Sequence, residues 1–398
     1  MIVQDSRIMK IEEEISSLKA KAGYLYAGYP KFWGLFGRDS LISSWELLDY
    51  DPKIAINTLI ALSSLQGNEI NLSNGEYPGK IPHEYYDDNT IYNQRKKEIP
   101  WLPRGPNYFS VDSTPLFIIL VSRVKSKVGD RLMVKFRKAT ESALIFMFDY
   151  AFKGHFLAYE KAMAGSGLQS QSWRDGIGDI LDRLKSPVFT VGVQGYAYYA
   201  LEQAKKIITA GRHNSKFENK DIPRIIDAKM LEIKENLNSY FWLDETSYYA
   251  LAFDGDGVAE RAITSDPAHL LFSGILSRRH ERDIIDRIFE DDMITDYGIR
   301  TLASSDSNFD AKAYQRGSIW PQDNWIIAEG LRQRGYLNEY SDLRGRLISA
   351  YDDMGKLPEY FSVTKNGKLL VDNALRVTPC YPQAWSSGAI IDFLLQGK

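Results

Sequence analysis

Val111-Asp112-Ser113-Thr114-Pro115 reads as the start of a helix. Asp and Ser satisfy free N–H groups of a first turn, and Pro fits there because its missing N–H has no partner to lose. Five other stretches carry the same kind of signal: Gly37-Arg38-Asp39-Ser40, Val193-Gln194-Gly195-Tyr196, Ser265-Asp266-Pro267, Pro321-Gln322-Asp323-Asn324 and Tyr381-Pro382-Gln383-Ala384-Trp385. Each closes a long loop of polar and aromatic residues. The six starts recur at intervals of roughly 55–80 residues, beyond the range of short solenoid repeats. Between them lie junctions as short as Asp49-Tyr50-Asp51-Pro52 and Arg334-Gly335-Tyr336. Long and short turns in alternation put every long loop at one end of a helical ring. The simplest closure is six inner helices within six outer ones. That is an all-α (α/α)6 barrel with its cavity at the inner N-termini.

Apolar periodicity predicts helices over Ile8–Ala22, Ser40–Leu48, Pro52–Leu65, Thr114–Lys125, Gly129–Phe152, Gly192–Thr209, Asp221–Phe241, Ala268–Leu276, Arg279–Glu290, Gln322–Gln333, Leu337–Asp353 and Ala384–Leu395. One β-hairpin is expected, from Tyr248–Phe253 through Asp254-Gly255-Asp256-Gly257 to Val258–Ile263. No linker, low-complexity run or charge shift divides the chain, so residues 1–398 read as a single domain.

Apolar residues make up 44% and charged residues 25%, the usual balance of a globular protein. A net charge of -3 points to neither nucleic acid nor an anionic membrane surface. The lone Cys380 excludes an internal disulfide and fits a reducing, cytoplasmic compartment. No apolar run approaches the roughly 18 residues that span a bilayer. Met1–Ala22 is charged and helix-like, unlike a signal peptide. The 8 Trp and 24 Tyr stand out. Composition alone assigns them to a large core before it assigns them to sugar stacking.

The chemistry-bearing signal is a pair of acids. Asp175 lies in Ser172-Trp173-Arg174-Asp175-Gly176, and Glu359 in Leu357-Pro358-Glu359-Tyr360. Both stand beside aromatic residues in loops leading toward helices. Glycoside hydrolysis needs two carboxylates flanking the scissile bond, and inversion holds them roughly 6.5–9.5 Å apart. Burial beside Trp173 would raise the pKa of Asp175 as an acid requires, whereas a close Arg174 would lower it, so Arg174 is expected to point elsewhere. Alone, each acid also reads as a solvated loop residue. Arg38 and Asp39 read either as a helix cap or as a pair gripping sugar hydroxyls, with Trp33 or Phe36 alongside. Trp173, Trp320 and Trp385 are candidate walls. Asp112, Gln194 and Gln383 stand at inner-helix starts and are placed at the same mouth, with Arg174 as a neighbour of the acid. His83-Glu84 has no second His at helical spacing, so it is placed among the sugar contacts and not with metal sites. Asp254-Gly255-Asp256-Gly257 lacks the later ligands of a calcium loop and reads as a turn. No phosphate loop, dinucleotide fingerprint or nucleophile elbow is present, so neither metal nor cofactor is implied.

Phe36-Gly37-Arg38-Asp39-Ser40, Val111-Asp112-Ser113-Thr114-Pro115-Leu116, Val193-Gln194-Gly195-Tyr196, Gly298-Ile299-Arg300-Thr301-Leu302, Gly317-Ser318-Ile319-Trp320-Pro321 and Pro382-Gln383-Ala384-Trp385 resemble, in order, the amylo-α-1,6-glucosidase domain of glycogen debranching enzymes. The resemblance covers nearly the whole chain. It implies a six-hairpin barrel related to glucoamylases and trehalases, and inverting release of glucose from α-glucosidic branch linkages of a glycogen-like or oligosaccharide substrate. It also implies Asp175 as acid, Glu359 as base, and Arg38 with Asp39 on the terminal glucose. Where relatives read Tyr-His-Asn-Gly-Ser-Val-Trp-Pro-His-Asp-Asn, this chain has Tyr314-Gln315-Arg316-Gly317-Ser318-Ile319-Trp320-Pro321-Gln322-Asp323-Asn324. Where they read Trp-Lys-Asp-Ser, it has Trp173-Arg174-Asp175-Gly176. Trehalase- or glucoamylase-like action on a short glucoside would use the same residues. An idle sugar-binding relative would lose one acid, and both are present. A sugar isomerase would need a His in these motifs, and neither has one.

Overall fold

Helices of two kinds alternate along the chain, and burial tells them apart. The computed structural model describes residues 5–129, 133–209 and 221–396. Among these it contains α1 (Ser6–Ser17), α2 (Gly37–Glu46), α3 (Pro52–Ser64), α4 (Asn89–Glu98), α5 (Ser113–Val128), α6 (Met133–Phe146), α7 (Val191–Thr209), α8 (Ile222–Phe241), α9 (Arg278–Ile288), α10 (Pro321–Arg334), α11 (Leu337–Met354) and α12 (Ala384–Leu395). A 3-10 helix, Asp266–Ser273, precedes α9. In α2 every residue is buried, and α10 is buried from Pro321 to Leu331. In α11 burial returns at Leu343, Leu347, Ala350 and Tyr351, and in α1 at Ile8, Ile11, Glu14 and Ile15. A helix buried all round belongs inside, and one with a single apolar stripe lies against the core.

The packing closes a ring. α2 contacts α5, α5 contacts α7, and α7 contacts the 3-10 helix; that helix contacts α10, α10 contacts α12, and α12 returns to α2. Around it α3 lies on α2, α6 on α5, α8 on α7, α9 on the 3-10 helix, α11 on α10 and α1 on α12. This is the (α/α)6 barrel, six hairpins of one inner and one outer helix. The inner N-termini carry buried polar residues, Arg38, Asp39, Asp112, Gln194, Asp266, Asp323 and Gln383 among them. Short sheets brace the loops at that end. Leu35–Phe36 pairs with Glu84–Tyr85, and Phe361–Val363 lies between Ser318–Ile319 and Leu369–Leu370. Among the described residues, no helix is long and apolar enough to cross a membrane.

Five elements differ from expectation, among them the 3-10 helix that stands where a helix over Ala268–Leu276 is expected. α1 ends at Ser17, short of Ala22, because Lys19 turns to bridge Leu25. The helix expected over Gly129–Phe152 falls partly outside the described residues; its described part is α6, followed by a π-helical turn, Met147–Ala151. The expected hairpin forms between Ala252–Asp254 and Ala259–Glu260, while Tyr248–Tyr249 pairs with Trp242–Leu243. α4 was not expected. It buries no residue fully: Ile91 and Tyr92 pack on the cluster of Phe36, Tyr86 and Leu102, Asp88 accepts from the N–H groups of Thr90 and Ile91, and Arg95, Lys96 and Lys97 face the negative end of the helix dipole.

The fourth inner element is a 3-10 helix squeezed between neighbours. A Cβ added at Gly330 of α10 would stand 2.7 Å from the Leu271 Cβ and 2.9 Å from the Phe272 backbone N. Helix propensity alone favours Ala over Gly by about 1 kcal/mol. Overpacking of a closed core costs about 1–3 kcal/mol. Gly330→Ala is therefore expected to lower the urea midpoint with an unchanged slope. A raised midpoint would show that the two backbones are not in fixed contact.

Candidate active site

Arg174 fixes the loop that carries Asp175. Its side chain is fully buried, and all five guanidinium N–H groups find acceptors. Nε and Nη2 donate to the two Asp179 oxygens at 3.3 and 3.0 Å. Nη1 donates to Asp266 Oδ2 at 3.3 Å and to the Thr301 carbonyl at 3.1 Å. Nη2 also reaches the Gln315 carbonyl at 2.6 Å. Arg174 thus points away from Asp175. The backbone on either side of the acid is held as well. Gln315 donates to the Trp173 carbonyl at 2.6 Å and accepts the Gly176 N–H at 2.9 Å. Trp173 donates its indole N–H to Asp266 at 2.8 Å.

Glu359 hangs from the rim sheet. The Tyr314 hydroxyl donates to its Oε1, and the Cys380 N–H donates to its Oε2 at 2.9 Å. Next to it Trp320, at the start of α10, stacks on Tyr360 with ring centres 5.2 Å apart. Trp320 also meets Trp173 and Trp385 edge-on at 6.0 and 5.9 Å. The rings enclose a cavity of about 360 Å³ that both acids line, together with Arg38, Asp39, His83 and Glu84.

Charge in this cavity is unevenly matched. Asp39, Glu84, Asp175 and Glu359 line it, and Asp112 lies just behind. Arg38 serves two of these acids: its Nε donates to Asp112 at 2.8 Å and its Nη1 to Asp175 at 3.0 Å. Its Nη2 is buried with no protein partner. Burial pushes Asp39 up to about 8, against Arg38 and with help from the charges of Asp175 and Glu359. Burial also lifts Glu84 and Glu359 to about 7 each; the bonds from Tyr314 and Cys380 lower Glu359. Asp175 is raised above the ordinary Asp range by burial, against Arg38. Burial and the nearby Arg38 hold His83 well below its usual pKa, so it is neutral. Crowded carboxylates cannot all ionise, and part of the cluster keeps its protons at neutral pH.

The structure gathers Phe36, Arg38, Asp39, His83, Glu84, Trp173, Asp175, Trp320, Glu359 and Trp385 around one cavity. Other expected contacts stand behind its wall. Asp112 anchors Arg38, with Ser110 donating to it at 2.7 Å. Gln383 lies 3.4 Å from Asp39, and Arg174 is the buried clasp. Gln194 bonds the backbone of Leu157 and Thr190. Trp33 packs on Tyr26 and Tyr29. The sequence reading missed Tyr314, although it opens the stretch that departs from relatives at Gln315. It also missed Lys31 and Arg95, which line the cavity from a loop and from α4.

Residues 160–369, more than half of the chain and including both acids, match the family model of the mannosylglycerate hydrolase MGH1-like glycoside hydrolase domain. A mannosylglycerate hydrolase from Rubrobacter radiotolerans is 24% identical over 183 residues, which is 44% of this chain and 38% of that protein. The chain thus aligns with less than half the length of that curated relative. Among solved structures, the GH63 mannosylglycerate hydrolase from Thermus thermophilus in complex with Tris and D-glycerate superposes with a TM-score of 0.73 at 15% identity, covering 98% of this chain and 100% of that one. The same enzyme in complex with glucose gives 0.71 at 14%, covering 98% and 99%. At such identities the likeness is one of fold. These matches move the resemblance from the glycogen debranching branch of six-hairpin glycosidases to another branch with the same barrel. The chain belongs to the mannosylglycerate hydrolase MGH1-like glycoside hydrolase domain family.

Proposed function

We propose that this protein hydrolyses an α-glycoside with inversion, taking one terminal sugar into the enclosed cavity. The observation that carries the reading is the placement of Asp175 and Glu359 on separate loops of one aromatic-walled cavity. Burial lifts Glu359 to about 7, a donor on each oxygen holds that rise down, and lone pairs remain to orient a water once it is ionised. Asp175 sits where burial favours the proton, yet Arg38 touches it. As the glycosidic bond breaks, Asp175 gives its proton to the leaving oxygen and becomes negative. Arg38, 3.0 Å away, stabilises the charge that appears only then, as transition-state stabilisation requires. Asp39, with its raised pKa, can donate to a sugar hydroxyl, and the free Nη2 of Arg38 can donate to another. The relatives' name makes mannosylglycerate the first substrate to assay, and the glucose bound in one structural neighbour adds its glucosyl analogue.

The two acids are expected to separate on activated substrates. Asp175→Asn should lower kcat/KM on an α-glycoside by about 10²–10⁴-fold, and recover much of it on the glycosyl fluoride, whose leaving group needs little protonation. Glu359→Gln should fall as far on both. Equal rescue of both variants, or of neither, would remove the assignment.

The pH profile follows from Glu359. As base it works only when ionised, so kcat/KM should rise as pH increases through about 7. Tyr314→Phe removes a hydrogen bond to the ionised form, so this limb should move to higher pH. A limb that stays in place or moves down would place the base elsewhere.

A further inference from the structure

Ile99, Trp101, Leu168, Asp175, Gly176 and Ile177 line the cavity described above and a second one of about 520 Å³. The two spaces meet at the acid. The second is not lined by Glu359, Arg38 or Asp39, and it runs outward past Pro100, Gln169 and Asp182. Chemistry gives the two spaces different tenants. The acid must reach the leaving oxygen, and the base must reach the opposite face of the sugar. The terminal sugar therefore occupies the cavity that both acids share. The leaving group lies on the side that only Asp175 lines.

We infer that this vestibule is a channel for a leaving group longer than a three-carbon acid, with a sugar ring stacked on Trp101. The inference rests on the hydrolase reading above. A volume of about 520 Å³ falls among pockets that enclose drug-sized ligands, roughly 300–1,000 Å³; glycerate would leave most of it empty. The wall is mixed as a sugar demands. Trp101 is half-buried and held edge-on by Phe109 at 5.9 Å, which makes its ring a fixed platform. Ile99 and Leu168 flank it, and Ile177 at the rim is fully exposed, at 104%. Gln169 and Asp182 supply polar groups at the outer end for hydroxyls. A small anion has less to hold it there. The Lys161 ammonium donates to the carbonyls of Leu181 and Asp182, and the carboxylates of Glu98 and Asp182 stand nearby.

The test compares leaving groups on one sugar, in mannosyl and glucosyl series. The α-fluoride, the α-glycosyl glycerate and the α-linked disaccharide are assayed with wild type, Trp101→Ala and Leu168→Ala. Wild type is expected to favour the disaccharide over the glycerate at least tenfold in kcat/KM. Trp101→Ala should lower the disaccharide at least tenfold more than the fluoride, with Leu168→Ala in the same direction and thermal midpoints kept. A preference for the glycerate, or an equal loss on all three substrates, would overturn the channel. If wild type hydrolysed no fluoride, the hydrolase reading would fail on its own. The channel would then be judged by calorimetry of disaccharide against monosaccharide. A selective loss of disaccharide binding in Trp101→Ala supports it, and equal binding ends it.

Discussion

The site depends on a single buried guanidinium. Arg174 gives five N–H groups to Asp179, Asp266, Thr301 and Gln315, and so ties the acid-bearing loop to three other stretches of the rim. An arginine with no solvent contact is stable only if every donor is matched and its charge is balanced. Asp179 and Asp266 supply that balance. Asp266 in turn opens the 3-10 helix and accepts the Trp173 indole N–H. Barrel closure, the Trp173 wall and the position of Asp175 therefore rest on one network.

Arg38 plays a second part in the same arithmetic of charge. It is shared between Asp112 and Asp175, and it lies close enough to Asp39 to offset part of the rise that burial causes there. Arg38, with Lys31 and Arg95 at the wall, is outnumbered by the carboxylates of Asp39, Glu84, Asp112, Asp175 and Glu359. The cluster is thereby poised with protons available near neutral pH, and Glu359 is part of it, its rise checked by its own two donors. The expected pairing of Arg38 with Asp39 as a sugar clamp becomes a three-way arrangement in which Arg38 touches the acid itself.

Much of this was legible in the sequence. Caps and prolines at Asp51-Pro52, Ser265-Asp266-Pro267 and Trp320-Pro321 act locally, so the helix starts and the alternation of the hairpins could be read directly. The two acids stood out because each sits in a short polar stretch beside aromatic residues. α4 was hidden because its apolar residues, Ile91 and Tyr92, are adjacent and set no helical period. The 3-10 geometry at Asp266–Ser273, packed close to Gly330 far away in the chain, left no mark in the local sequence. Tyr314 was missed for the same reason: its partner Glu359 is 45 residues on, and only the rim sheet brings them together. The direction of Arg174 was inferred correctly from the needs of Asp175, but the arginine that does reach that acid, Arg38, comes from another loop. The family branch was beyond the short motifs, which recur across six-hairpin glycosidases.

The central claim is that Asp175 and Glu359 act from opposite faces of the bound sugar in one displacement. Proton NMR of the sugar released in the first turnovers of an α-glycoside, before the anomers equilibrate, reads this directly. The account predicts the β anomer as the first product. The α anomer would mean a covalent intermediate and a double displacement, and would contradict it.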